Sequence, residues 1–232
     1  MSNYCIPLRQ PNKAFMKQLF SEEFRSGLSS AKVIATATIS NVEDALPIGE
    51  ALLGGGINTI EVTLRTPVAL KAMKVLADNL PEMNLIAGTV IDLEQVSQVI
   101  DAGAICGVSP GLNRKIIEKS LALKFPFAPG IATPSEIELG LDYGCDIFKF
   151  FPSENLGGLG FLENMFKPYA HKEIQFIPLG GINLDNAQNY FSSSCILAIG
   201  GSWIVDDKSV QSKDWISIKN KAEKVMALST KK

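Results

Sequence analysis

The feature that most constrains this chain is an alternation that begins near Val33 and continues almost to the end. Short apolar or β-branched runs occur at "KVIATATI" (32–39), "NTIEVTL" (58–64), "NLIAGTV" (84–90) and "AICGVSP" (104–110). They continue at "FPFAPG" (125–130), "DIFKFF" (146–151), "IQFIPLG" (174–180) and "ILAIGG" (196–201). Stretches of helical periodicity separate them. "NVEDALPIGEALLGGG" carries apolar residues at helical spacing and ends in glycines, a helix-stop signal. "TPVALKAMKVLADNLP" opens on Thr66-Pro67, read as a cap followed by proline at the first helical position. "TPSEIELGLDYG" opens the same way at Thr133-Pro134 and closes on Gly144.

Alternating strands and helices imply parallel pairing. Eight strand candidates in a chain of 232 residues match the count of an α/β (β/α)8 TIM barrel. An open doubly wound sheet is the structural competitor. It usually carries a glycine-rich first βα turn, whereas the turn here reads "ISNVED". The weakest helices are those after the fourth and seventh strands. Residues 1–31 lie outside the repeat. There "NKAFMKQLFSEEFRSGL" places Phe15, Leu19, Phe20 and Phe24 at helical spacing. This predicts an extra N-terminal helix packed on a barrel of residues 32–232, with a partner-binding helix as the alternative. "DWISIKNKAEKVMALSTKK" reads as the closing helix.

Composition narrows the function. Hydrophobic residues make up 46% of the chain, enough for a large core, and the net charge is −2 with no basic stripe. Nucleic acid is therefore not an expected partner. No apolar run approaches the roughly 18 residues of a membrane span, and "MSNYCIPLRQ" lacks the apolar region of a signal peptide. The expected location is the cytoplasm. Cys5, Cys106, Cys145 and Cys195 form no CxxC pair and read as free thiols. A single histidine, His171, cannot build a multi-histidine metal centre and reads as a surface residue. No metal and no cofactor is expected.

Strand side chains alternate between faces. In "TIEVTLRT" one face carries Thr59, Glu61, Thr63 and Arg65, and the other Ile60, Val62 and Leu64. In a barrel the apolar set faces the helices. The polar set then points inward, its last members at the C-terminal mouth where barrel active sites are built. In "DIFKFF" Ile147, Lys149 and Phe151 share one face. Burial disfavours a charged ammonium, and a neutral amine is a nucleophile that forms a Schiff base with a ketone. The pattern alone leaves this open against a structural ion pair between Lys149 and Glu61. Two glycine pairs follow: Gly180-Gly181 after the seventh strand and Gly200-Gly201, with Ser202, after the eighth. Loops in those positions often hold phosphate, through backbone N–H groups and helix N-termini. Thr89 is a hydrogen-bond donor for a carboxylate, and Arg65 a bidentate partner for the same group. Pro110 and Pro129 shape loops at the mouth. Phe151 walls a pocket or packs in the core.

With these residues in hand, the chain resembles the bacterial 2-keto-3-deoxy-6-phosphogluconate aldolases, which overlap with the 4-hydroxy-2-oxoglutarate aldolases. The similar stretches are "GGGINTIEVTLRTP", "AGTV", "SPGLN", "PGIATPSEIELGLDYG", "FKFFPSE", "PLGGIN" and "AIGGSW". The resemblance implies a class I aldolase, usually a homotrimer, acting on a small 2-keto acid that carries a phosphate. It implies that Lys149 forms the Schiff base and Glu61 is the general acid/base. Arg65 and Thr89 would hold the pyruvate carboxylate, and Gly180, Gly181, Gly201 and Ser202 the phosphate. Two departures stand out. The family commonly reads "PTGG" where this chain has Leu179, and its first strand contains a proline where this one reads "VIATATIS". Leu179 leaves open the same chemistry on 4-hydroxy-2-oxoglutarate or another 2-keto-4-hydroxy acid. A phosphosugar-binding barrel without catalysis is the non-enzymatic alternative.

Overall fold

The computed structural model describes residues 19–230. Strand β1 (Val33–Ala37) pairs in parallel with β2 (Thr59–Thr63), β2 with β3 (Asn84–Gly88), β3 with β4 (Cys106–Val108) and β4 with β5 (Phe127–Ala128). A second set joins β6 (Gly130–Ile131), β7 (Ile147–Phe150) and β8 (Gln175–Pro178), while β9 (Ile199–Gly201) returns to β1. Two joints close the ring. At one, the Lys149 amide donates to the Pro129 carbonyl at 3.0 Å. At the other, the Phe176 amide donates to Cys195 at 2.8 Å and the Leu197 amide to Phe176 at 2.9 Å. The result is a (β/α)8 barrel, as expected.

The fifth barrel strand is split into β5 and β6. Pro129 lies between them, and its missing N–H removes a ladder donor. The residues before it pair back to β4 and those after it forward to β7.

Helices α1 (Glu22–Ala31), α2 (Ala45–Gly54), α3 (Ala69–Asn79), α4 (Leu93–Asp101) and α5 (Arg114–Ala122) fall in the first half. The second half carries α6 (Pro134–Asp142), α7 (Gly158–Phe166), α8 (Ala187–Phe191), α9 (Asp207–Gln211) and α10 (Trp215–Ser229). At the start of α6, Thr133 and Glu136 form a reciprocal capping box, with proline at the first turn. The Thr66-Pro67 signal misleads. Thr66 donates its hydroxyl to the Ile39 carbonyl at 2.6 Å, and the helix starts only at Ala69. The helix after the seventh barrel strand, α8, is a bare 5 residues, the weakness the sequence shows.

Two apolar layers result. The outer one packs Ile60, Val62, Phe148, Phe150 and Phe176 against the helices. The inner one fills the barrel with Ile34, Ile86, Cys106, Val108, Ala128, Ile147 and Ile177, joined by Phe20 and Leu28. The N-terminal segment therefore plugs the barrel beneath the site. Its described helix is shorter than the periodicity suggests. Ser21 caps it by accepting from the Phe24 amide at 3.1 Å, so Leu19 and Phe20 precede the helix. Phe15 and Cys5 lie outside the described residues. Arg25 locks the plug through a two-pronged contact with Asp146, at 2.9 and 2.8 Å.

Candidate active site

Strand alternation delivers the two expected groups to the barrel interior. Thr59, Glu61 and Thr63 of β2 are all buried, as is Lys149 of β7. Lys149 Nζ donates to Glu61 Oε1 at 2.9 Å, and the side chains are only 6% and 2% exposed. The Phe151 ring lies 5.6 Å from the same nitrogen, on the face shared with Lys149. Close by, the buried Cys106 thiol is pushed up, first by burial and then by the charge of Glu61. Its role is that of a small hydrophobe.

Glu61 owes its position to a missing side chain. A Cβ on Gly88 would fall 2.2 Å from Glu61 Oε1, so β3 must present glycine where the carboxylate crosses it. The next residue, Thr89, has φ +59°. A β-branched residue in the left-handed region is costly and is found where surrounding structure holds it, often at functional sites.

The remaining expected residues sit at the same C-terminal end of the barrel. Arg65 is exposed, two residues beyond β2, in a tight turn closed by its amide on Thr63 at 2.8 Å. Gly180 and Gly181 follow β8 with φ +98° and +84°, conformations that favour glycine. Their turn packs against the "FPSE" segment: the Ser153 amide donates to Leu179 at 2.7 Å and the Glu154 amide to Gly180 at 2.9 Å. Gly201 ends β9, and Ser202 is exposed just after it. The helices after these turns open only at Ala187 and Asp207. Backbone amides and the Ser202 hydroxyl, rather than a helix end directly behind the glycines, are what the loops offer an anion. The loop after β4 is braced on itself and on β6: Ser109 donates to the Gly111 carbonyl at 2.6 Å and accepts from the Gly130 amide at 3.4 Å. His171 is exposed.

Leu179 is buried, and its Cγ would lie 2.2 Å from a Cβ on Gly200. It therefore puts apolar bulk between the two glycine turns. Three features escape the sequence reading. Gly88 shapes the Glu61 site. The buried hydroxyls of Ser153 and Tyr190 meet at 2.8 Å, with Tyr190 also donating to Glu154, and brace the "FPSE" turn. Thr36 lies opposite Glu61 in the β1–β2 register. The repeated threonines of "ATATI" were the available signal for the last of these, since they alternate with the period of "TIEVT".

Chemically, the site can move a proton within one contact. Glu61 accepts from Lys149, so transfer along that bond gives a neutral amine beside a neutral carboxyl group. The low-dielectric interior disfavours separated charges. The amine is then free to attack a carbonyl carbon.

Comparison with known proteins agrees with this chemistry. The model of the KDPG and KHG aldolase family matches residues 24–221. The 2-dehydro-3-deoxy-phosphogluconate aldolase of Treponema pallidum is 40% identical over 191 residues, covering 82% of this chain and 90% of the relative. A crystal structure of the KDPG aldolase of Legionella pneumophila, with pyruvate captured as a covalent carbinolamine intermediate, is 38% identical. It superposes with a TM-score of 0.82, covering 87% of this chain and 97% of that one. The Zymomonas mobilis enzyme with 3-phosphoglycerate superposes at 0.83 with 38% identity, covering 92% and 97%. The chain belongs to the KDPG and KHG aldolase family.

Proposed function

We propose that this protein is a class I aldolase that cleaves 2-keto-3-deoxy-6-phosphogluconate to pyruvate and glyceraldehyde 3-phosphate through a Schiff base on Lys149. The observation that carries this reading is the sealed 2.9 Å contact between Lys149 and Glu61 at the barrel mouth. The amine attacks the C2 ketone, forming a carbinolamine. Loss of water gives an iminium, with Glu61 moving the protons. Glu61 then takes the C4 hydroxyl proton as the C3–C4 bond breaks, and that electron pair flows into the iminium to give an enamine. The aldehyde leaves. Protonation at C3 and hydrolysis release pyruvate and regenerate Lys149.

Arg65 and Thr89 hold the carboxylate end, Phe151 walls the pocket, and Gly180, Gly181, Gly201 and Ser202 hold the phosphate. Gripping both ends keeps C2 beside the amine, an entropic advantage worth several kcal/mol. Residues 32–232 form the barrel domain and 1–31 its extension. The assembly is a homotrimer in the cytoplasm. Among the described residues no helix is long and apolar enough to cross a membrane.

Leu179 motivates a second reading. Its buried side chain between the glycine turns favours a shorter or unphosphorylated aldehyde half, as in 4-hydroxy-2-oxoglutarate. Steady-state cleavage of both substrates separates the two. A kcat/KM at least about tenfold higher for the phosphorylated compound, the size of one good hydrogen bond to a charged group, supports the first. The reverse ranking supports the second, and no cleavage of either points to a binding barrel.

A further inference from the structure

We infer that Thr36 is a positioning residue for Glu61, a reserve hydrogen-bond donor that engages the carboxylate once Lys149 has left it to form the Schiff base. The inference rests on the Schiff-base reading above and extends it to a residue of the first strand, "VIATATIS".

Two cross-strand pairs on the inward face of β1 and β2 frame the argument. Thr36 is the register partner of Glu61. One step further toward the mouth, Thr38 and Thr63 face each other and their hydroxyls meet at 2.9 Å. The upper pair is closed and the lower pair is open. Glu61 is instead bonded to Lys149, and Thr36 Oγ1 is sealed from solvent without a partner. The residue as a whole is only part-buried, so its accessible portion is not the oxygen. A buried hydroxyl left unpaired is unfavourable, and such exceptions call for an explanation.

The reaction supplies one. In the resting pair an ammonium offers Glu61 up to three N–H donors. After carbinolamine formation and loss of water, the same nitrogen is bonded to both C2 and the lysine chain and keeps one N–H. Glu61 is then a buried carboxylate whose main donor has been withdrawn, and such a group is costly. The Thr36 hydroxyl, on the β1 flank of Glu61, is already unpaired in the resting state. With Lys149 withdrawn, the carboxylate swings from its place over Gly88 of β3 back toward β1, and rotation about the Thr36 side chain closes the lower pair as the upper one is closed. Glu61 is thereby held over the C3 and C4 positions, where it must next take or return a proton.

The test uses the intact enzyme with pyruvate. Borohydride reduction followed by mass spectrometry reads Schiff-base formation on Lys149. Exchange of the pyruvate C3 hydrogens in heavy water, followed by NMR, reads the later step: Glu61 takes a C3 proton as the C–H pair becomes the enamine double bond, then returns deuterium. In Thr36→Val, trapping and the KM for pyruvate stay as in the unaltered protein. The exchange rate falls about tenfold to a hundredfold, the worth of one hydrogen bond to a charged group. Thr36→Ser restores exchange, and Thr36→Ala behaves as the valine variant. Unchanged exchange in both the valine and alanine variants overturns the inference. So does a serine variant as slow as valine, or a loss of trapping in folded variants, because the hydroxyl has no part before the Schiff base forms. Absence of an adduct in the unaltered protein would instead remove the Schiff-base reading itself.

Discussion

Two ion pairs sit at opposite ends of one strand and have opposite uses. At the foot of β7, Arg25 grips Asp146 with both carboxylate oxygens, the side chains being 17% and 10% exposed. Further along the same strand, Lys149 meets Glu61 through one oxygen, at 6% and 2%. A guanidinium cannot give up its proton in a protein, and here its Nη2 reaches both Asp146 oxygens while its Nε donates to the Phe20 carbonyl. A lysine amine can, and once neutral it is a nucleophile. The more buried pair is therefore the one whose cation is able to lose its charge. The wetter pair, fixed in charge and geometry, holds the N-terminal plug in place.

Four changes sharpen or break this contrast. The largest effect belongs to Lys149→Met. Turnover falls by more than about 10⁴-fold, as for loss of a covalent nucleophile, while thermal unfolding stays cooperative. Turnover and cooperativity lost together would make the upper pair structural like the lower one. Next is Gly88→Ala. The added methyl meets Glu61 Oε1 head-on, and a displacement of about 1 Å costs on the order of 100-fold in kcat. Normal kcat in this variant would mean that Glu61 has no fixed post. Arg25→Met reverses the pattern. Denaturant titration should show a loss of about 2 kcal/mol, between the values for exposed and buried pairs, with kcat retained. A drop in kcat at full stability would show that the plug also serves the mouth.

The smallest effect concerns a third pair, Lys221 with Asp206 at the start of α9. Burial pushes the Asp206 carboxyl up, but hydrogen bonds from Lys221 and from the Ser209 hydroxyl and amide outweigh it and hold the group at about 2. The ordinary value is 3.8. The stabilisation is therefore complete above about pH 4 and lost as pH falls through about 2. Acid titrations of Asp206→Asn should show a flatter dependence of stability on pH across that window, with activity unchanged. An identical slope would mean that the pair contributes nothing.

How far the sequence reveals all this depends on how local each signal is. Glu61 and Lys149 are legible because a charge inside an apolar run must either be buried for a purpose or break the strand, and alternation says which face it takes. The Thr133-Pro134 helix start is legible because its capping box closes within four residues. Gly88 and Thr36 are not, because their roles exist only across strands, where register sets a glycine under a carboxylate or a hydroxyl beside it. Thr66 fails as a cap for the same reason: its hydroxyl is claimed by Ile39 of a distant segment. Leu179 is visible as a departure, but its seat against Gly200 emerges only when β8 and β9 are brought together. At Pro129, the missing donor is plain in the sequence, yet the division of one strand between two neighbours needs the closed ring.

The central claim is that the Lys149 amine captures a keto acid. Incubation with pyruvate and sodium borohydride, followed by peptide mass spectrometry, tests it directly. A reduced pyruvyl adduct on Lys149, absent from Lys149→Met, is the predicted result. No adduct, or one on another lysine, would contradict it.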